Sequence, residues 1–265
     1  MTLPATQTLP IAKRTIAWRE AGQGPALVLL HGIGGASASW EYQFTHFAEH
    51  YRVIVWDMPG YGASQALKGA APTVDDYLAV LVALLDALGE TKIHILGQSV
   101  AALIAARFAA KYPDRTGSFI FAHGLTGLGG LPAAERDRAR EGRLEVFDAL
   151  GPIRFAHEKG PAIMSPAVSD AACEKAVAIM AQINPTGFRQ AVEMLAQADF
   201  FADAPHIAAP SLVLCGADDP VAPEALCRSV AAALPNAIFH LLPGVGHYAA
   251  VENPSLFNQS LETFL

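Results

Sequence analysis

Along the first 125 residues the hydrophobic positions alternate between two periods. PALVLLHG (25–32) is a short unbroken apolar run that stops at glycine, the pattern of a strand buried on both faces. SWEYQFTHFAEHY follows as a helix, and RVIVWDMPG (52–60) repeats the strand pattern and breaks at Pro-Gly. In TVDDYLAVLVALLDALG (73–89), Leu78, Leu81, Val82 and Leu85 fall on one helical face. Thr73 is placed to cap that helix with Asp76 three residues on, and Gly89 to stop it. KIHILGQS then predicts a strand, VAALIAARFAAKYP a helix and GSFIFAHG another strand. Strands and helices alternating at this spacing imply βαβ units and a mostly parallel, doubly wound α/β sheet.

The alternation lapses between about residues 126 and 205. AAERDRAREGRLEVFDALG predicts a charged amphipathic helix. Two more helices follow, one with Cys173, Ala176, Val177 and Met180 on a single face and one with Phe188, Ala191, Val192 and Leu195. Pro185 after Asn184 suits the start of the latter. The α/β pattern then resumes with SLVLCGADD, a helix near 222–234, AIFHLLPG and a C-terminal helix from about Asn253. The organisation expected is one structural domain: a core of residues 1–125 and 206–265, with residues 126–205 inserted as a helical lid over the carboxyl ends of the strands.

Composition narrows what such a chain can do. Its 265 residues are 52% hydrophobic and only 16% charged, which favours a large core over disorder. A formal charge of −7 argues against nucleic acid as a partner. The three cysteines, Cys173, Cys215 and Cys227, are odd in number and form no C-x-x-C pair, so they read as reduced, buried fillers. The first residues lack the basic and apolar regions of a signal peptide, and the longest apolar stretch contains Asp86 and is too short for a bilayer. A cytoplasmic protein with no membrane partner is expected, and no feature specifies an oligomeric state.

Ser99 carries the candidate chemistry. It follows a predicted strand and precedes a predicted helix, with Gly97 two residues before it and Ala101 two after. That is the setting of a nucleophile elbow, G-x-S-x-G, with alanine at the last position. Such a turn strains the serine backbone and leaves no room for large neighbours two residues away. Outside this setting a serine at a strand end usually satisfies its own backbone and does nothing more. A serine also needs a base to take its proton. His46, His50, His157 and His206 lie in segments read as surface helix or loop, and His94 and His240 lie inside strands. His247 differs, because its glycine-rich turn between the last strand and last helix can place an imidazole over the sheet edge. Asp218 and Asp219 lie just past the penultimate strand on the same edge, in the chain order Ser, Asp, His. For a developing oxyanion, the amides in position are those of Val100, next to the serine, and Ile33 in HGIGG. Phe188 and Val192, with Leu195, Val177 and Met180, are the expected substrate-facing residues of the lid.

These motifs together resemble the α/β-hydrolase superfamily over essentially the whole chain. LLHGIGGASASW resembles its HG loop, WDMPGYGAS its D-x-P-G-x-G-x-S loop and GQSVAA its elbow. GADDPVAP and GVGHYAAVENP resemble its acid and histidine loops, an alignment that makes Asp219 the acid. The resemblance implies a Ser99–His247–Asp219 triad that needs neither cofactor nor metal. The segment from Asn184 to Phe200 is similar to the lid of 3-oxoadipate enol-lactonases and related small esterases. Cleavage of a small carboxylic ester or lactone is therefore expected. Two alternatives stand beside it: a carbon–carbon bond hydrolase of aromatic degradation, and a ligand-binding protein of the same fold that does not turn its ligand over. The first would need polar groups to hold a dienol carboxylate, and the arginines available (Arg136, Arg138, Arg140, Arg143, Arg154, Arg189) read equally well as solvated helix faces. Ala101 and Ala102 replace the family's usual glycine pair, and Tyr61 stands where many members have histidine.

Overall fold

The computed structural model describes residues 3–265. It begins with an antiparallel hairpin, β1 (Gln7–Ile11) and β2 (Arg14–Ala21), that the sequence pattern does not announce. The turn between them puts Ala12 and Lys13 at positive φ without the Asn or Gly that usually marks such a turn. Pro10 lies on the outermost strand, where a missing amide donor is tolerated.

The alternating core follows as β3 (Ala26–Leu30), α1 (Glu41–Phe47), β4 (Arg52–Trp56), α2 (Val74–Ala87), β5 (Ile93–Gln98), α3 (Ala101–Lys111) and β6 (Thr116–Ala122). Between β6 and β7 lie only helices: α4 (Ala133–Lys159), α5 (Asp170–Met180), α6 (Pro185–Gln197) and α7 (Phe200–Asp203), besides short 3-10 turns. The chain closes with β7 (Ser211–Gly216), α8 (Glu224–Ala233), β8 (Ala237–Leu242), α9 (Ala249–Glu252) and α10 (Pro254–Glu262). Asp76 accepts from the Thr73 amide at 2.7 Å at the start of α2, and Gly89 ends that helix at φ +77°.

The eight strands are ordered β1-β2-β4-β3-β5-β6-β7-β8, and all from β4 to β8 in that order run parallel. Because both faces are covered, the central strands have no polar side, and alternate residues enter opposite cores. Val28, Leu30, Ile54, Trp56, Phe119, Phe121 and Val213 pack toward α2, α3 and the inserted helices. Leu27, Leu29, Val53, Val55, Ile120 and Leu214 pack toward Phe44, Phe47, Ala249 and Phe257 of α1, α9 and α10. From β3 the chain winds first to β4 and then back past β3 to β5. This reversal opens a crevice at the carboxyl ends of β3 and β5, where open α/β sheets bind ligands.

Two local expectations change. The charged helix predicted to stop near Gly151 continues to Lys159 across a kink, with Gly151 at φ +66° and Pro152 starting the second half. Cys215 and Cys227 are buried, whereas Cys173 is only half-buried on α5. No helix among the described residues is long and apolar enough to cross a membrane.

Candidate active site

Ser99 stands at the crevice, one residue past β5, and its φ of +55° is a left-handed conformation that a non-glycine residue adopts only under constraint. The constraint is visible in its backbone. The Ser99 amide donates to the Ala122 carbonyl at 3.2 Å, and its own carbonyl accepts from Ala102 and Leu125 at 3.1 Å each. Small residues are required around it. A Cβ at Gly97 would lie 2.5 Å from the Ala101 carbonyl oxygen, and one at Gly32 would lie 2.7 Å from Ser99 Cβ. The alanines that replace the family's glycines are accommodated from the other side: Ala102 Cβ occupies the space beside Gly124, where a Cβ would come within 2.6 Å of it.

The Ser99 hydroxyl donates to His247 Nε2 at 2.9 Å, and His247 Nδ1 donates to Asp219 Oδ2 at 2.9 Å. All three side chains are buried. The other carboxylate oxygen of Asp219 accepts from the amides of Val221 and Ala222 at 2.8 and 2.9 Å, so both oxygens are committed. Burial by itself raises the pKa of this carboxyl, but the hydrogen bond from His247, with the two amides on the other oxygen, outweighs it and holds Asp219 well below the usual carboxylate range. Asp218 points elsewhere and accepts from the Ser165 hydroxyl at 2.6 Å.

The histidine is held from several directions. Gln98 donates its amide to the His247 carbonyl at 3.1 Å, which accounts for a polar residue beside the nucleophile. The His247 amide donates to the Ile163 carbonyl at 2.8 Å. Glu252, the Glu of the G-x-G-H-x-x-x-x-E pattern, accepts from the amides of Gly246, Tyr248 and Ser165, each at 2.8 Å. One carboxylate thus ties the histidine loop to the inserted segment.

Ser99 and His247 open into a cavity of about 470 Å³. Ile33 and Val100 line it, on the loops after β3 and β5 where the sequence places the oxyanion donors. Of the residues expected to face substrate, Phe188, Leu195 and Met180 line the cavity. Val192 and Val177 do not. Val192 is buried in the core and does not reach the cavity, although it stands on the same stripe of α6, four residues from Phe188 and three from Leu195. Phe188 itself stacks on Phe147 of α4 with ring centroids 3.8 Å apart, so it is wall and packing at once.

Two buried histidines escape sequence reasoning. His31 donates from Nδ1 to the Gly32 carbonyl at 2.8 Å and accepts the Met58 amide at Nε2 at 2.9 Å, bracing the loop after β3 against the loop after β4. Burial lowers its pKa against the opposing pull of Asp57. His123 follows β6, and its Nδ1 accepts the Gly216 amide at 3.1 Å while standing 3.5 Å from Asp219 Oδ2. Its place at a strand's carboxyl end, like those of Ser99 and Asp219, was the available signal. Among the described residues no three His, Cys, Asp or Glu side chains are grouped to hold a metal ion.

Comparison with known proteins places this geometry among relatives. The alpha/beta hydrolase fold family matches residues 25–149. The chain is 30% identical over 251 residues to the "Putative carbamate hydrolase RutD" of Variovorax paradoxus, covering 91% of this chain and 92% of that one. It is 31% identical over 267 residues to a 2-hydroxy-6-oxononadienedioate/2-hydroxy-6-oxononatrienedioate hydrolase of Paraburkholderia phymatum, covering 94% and 90%. Among solved structures, a thermophilic esterase from Thermogutta terrifontis superposes with a TM-score of 0.88 at 25% identity, covering 98% of this chain and 97% of that one.

Proposed function

The chain belongs to the α/β-hydrolase superfamily, and on that premise we propose that it is a serine hydrolase that cleaves a small carboxylic ester or lactone through an acyl-enzyme on Ser99. The observation that carries the reading is the unbroken run of hydrogen bonds from Ser99 Oγ through His247 to Asp219, each 2.9 Å, opening into one cavity. Ser99 Oγ attacks the carbonyl carbon while His247 Nε2 takes its proton, and Asp219 stabilises the resulting imidazolium. The tetrahedral oxyanion is received by the amides of Ile33 and Val100, where each such donor contributes on the order of 10²–10³ in rate. His247 returns the proton to the leaving oxygen, and the ester to Ser99 remains. Water then attacks the acyl carbon as His247 takes its proton, and that proton passes to Ser99 Oγ as the acyl–oxygen bond breaks and the acid leaves.

The esterase among the structural relatives supports this reaction class. A second reading, hydrolysis of a carbon–carbon bond, is favoured by the relative from Paraburkholderia phymatum, whose name describes such a dienedioate substrate. Both use the same serine and histidine, so the substrate separates them. The test is a panel of p-nitrophenyl esters, small lactones, aryl carbamates and a dienol ketone, assayed with the wild type and Ser99→Ala. We expect rapid ester or lactone turnover, a burst of p-nitrophenol and a covalent acyl adduct by mass spectrometry, all lost in Ser99→Ala. Near-wild-type turnover by that variant refutes the assignment, and turnover of the dienol ketone alone selects the second reading.

A further inference from the structure

The six arginines of the insertion divide by their partners. Arg136 pairs with Asp137 at 3.3 Å, Arg140 with Glu193 at 2.8 Å, Arg154 with Glu158 at 2.9 Å and Arg189 with Asp148 at 2.9 Å. Arg138 and Arg143 have no carboxylate within 4.0 Å among the described residues, and these two line the cavity. Lys159 lines it as well and is likewise without a carboxylate partner. No Asp or Glu lines that cavity, although acidic residues outnumber Lys and Arg by 25 to 18 in the chain. The rest of the lining is largely apolar, with Val146, Phe155, Met180, Phe188 and Leu195 among its walls.

The placement is a product of the fold. Ala139 and Arg143, and Arg138 and Gly142, are four residues apart, so they form one stripe of the first half of α4. In a straight helix Lys159 would lie about 24 Å beyond Arg143. The kink at Gly151 turns the second half back, so Phe155 and Lys159 reach the cavity that Arg143 lines. Arg143 gives one donor to the Ala139 carbonyl at 3.0 Å, leaving most of its guanidinium free. An arginine remains charged at any working pH. Arg138, Arg143 and Lys159 are all solvent-exposed, so each keeps a hydrated charge that is free to meet an anion entering the cavity they line.

We propose that the substrate carries a carboxylate remote from the scissile carbonyl, and that Arg143, with Arg138 and Lys159, receives it while the apolar walls take the connecting carbons. This rests on the serine-hydrolase reading for its chemistry but not for its binding. In turnover, mono-p-nitrophenyl glutarate is compared with p-nitrophenyl pentanoate, and 3-carboxyphenyl butyrate with phenyl butyrate. These pairs place the carboxylate on the acyl and leaving sides in turn. We expect kcat/KM to favour the anionic member of one pair by about 10-fold or more, with a preference that shrinks as NaCl is raised. The ratio should collapse toward unity in Arg143→Gln, recover partly in Arg143→Lys and hold in Arg140→Gln, whose arginine is already paired with Glu193. Because the ratio is taken within each enzyme, a general loss of activity does not mimic the effect. Equal or lower kcat/KM for both anionic esters in the wild type overturns the proposal, with no variant required. Binding of glutarate to Ser99→Ala, followed by calorimetry, separates the two failures. If no ester is hydrolysed yet glutarate binds and Arg143→Gln abolishes that binding, the anion site stands and the reaction class falls. If esters are hydrolysed without anionic preference and glutarate does not bind, the reaction class stands and the anion site falls.

Discussion

Asp219→Asn is the sharpest perturbation, because the structure dictates which way the new amide must turn. Oδ1 of Asp219 accepts two backbone amides, from Val221 and Ala222, at 2.8 and 2.9 Å. An Asn amide nitrogen at that position would set a donor against two donors, so the Asn oxygen must take it. Its NH2 is then aimed at His247 Nδ1, 2.9 Å from the atom it replaces. That nitrogen becomes an acceptor and the imidazole proton moves to Nε2, where it faces Ser99 Oγ instead of receiving the serine proton. The base is lost while every heavy atom stays in place. A tautomer error of this kind costs about 10³–10⁴ in kcat, or roughly 4–5.5 kcal/mol of barrier. Asp218→Asn serves as the paired comparison. The amide oxygen it introduces can still accept from the Ser165 hydroxyl, now 2.6 Å from Asp218 Oδ2, so only the charge assistance is lost, worth about 1 kcal/mol of stability, with kcat unchanged within a few-fold. The assay is kcat for p-nitrophenyl butyrate, with circular dichroism to verify folding. A loss below about 10-fold in Asp219→Asn, or a larger loss in Asp218→Asn, refutes the reasoning, since the expected tautomer penalty is of order 10³ or more.

Gly32→Ala should lower kcat by about 10-fold or more and cost about 1–3 kcal/mol of stability, because the added methyl would lie 2.7 Å from Ser99 Cβ and 3.3 Å from its Oγ; unchanged kcat would show that the loop yields freely. Among neutral p-nitrophenyl esters, kcat/KM should rise by up to about 0.8 kcal/mol per methylene at short chain lengths and fall by about C8 as the cavity of about 470 Å³ fills. A profile still rising through long chains would indicate an open acyl groove. Because the Asp219 pKa is depressed in the folded state, its contribution to stability is present above the unfolded carboxylate value near 4 and is lost as pH falls below it. Urea denaturation should therefore find the wild type more stable than Asp219→Asn near pH 6, by a margin that narrows toward pH 3. A constant margin contradicts the depressed value.

Much of the fold is written locally. The apolar runs at 26–30, 53–56 and 212–215, and the stretch 93–96 broken only by His94, became strands covered on both faces, since only a doubly wound sheet hides a strand with no polar side. The small residues around Ser99 were equally legible, because a Cβ at Gly97 would strike the backbone of Ala101 in the same short stretch. Ser99, Asp219 and His247 could be found as strand-end residues in the right order, and the fold brings them within hydrogen-bond distance. Tertiary structure decided what depends on residues far apart in the chain. The β1–β2 hairpin carries no turn signature and is defined by pairing with β4. His123 looks like any strand-end histidine until Gly216 and Asp219 arrive from β7 and the loop after it. The apolar stripe of α6 could not say which of its members would reach the cavity: Phe188 and Leu195 line it, while Val192, on the same stripe, is buried without reaching it. The arginines of the insertion are alike as a charge pattern; Arg136 and Arg154 find carboxylates close by in sequence, but the distant partners Asp148 and Glu193 and the kink at Gly151 were needed to separate Arg189 and Arg140 from those left lining the cavity. Period and backbone sterics act over a few residues and can be read along a chain, whereas charge pairing and the direction a helix faces are set by whatever packs against it.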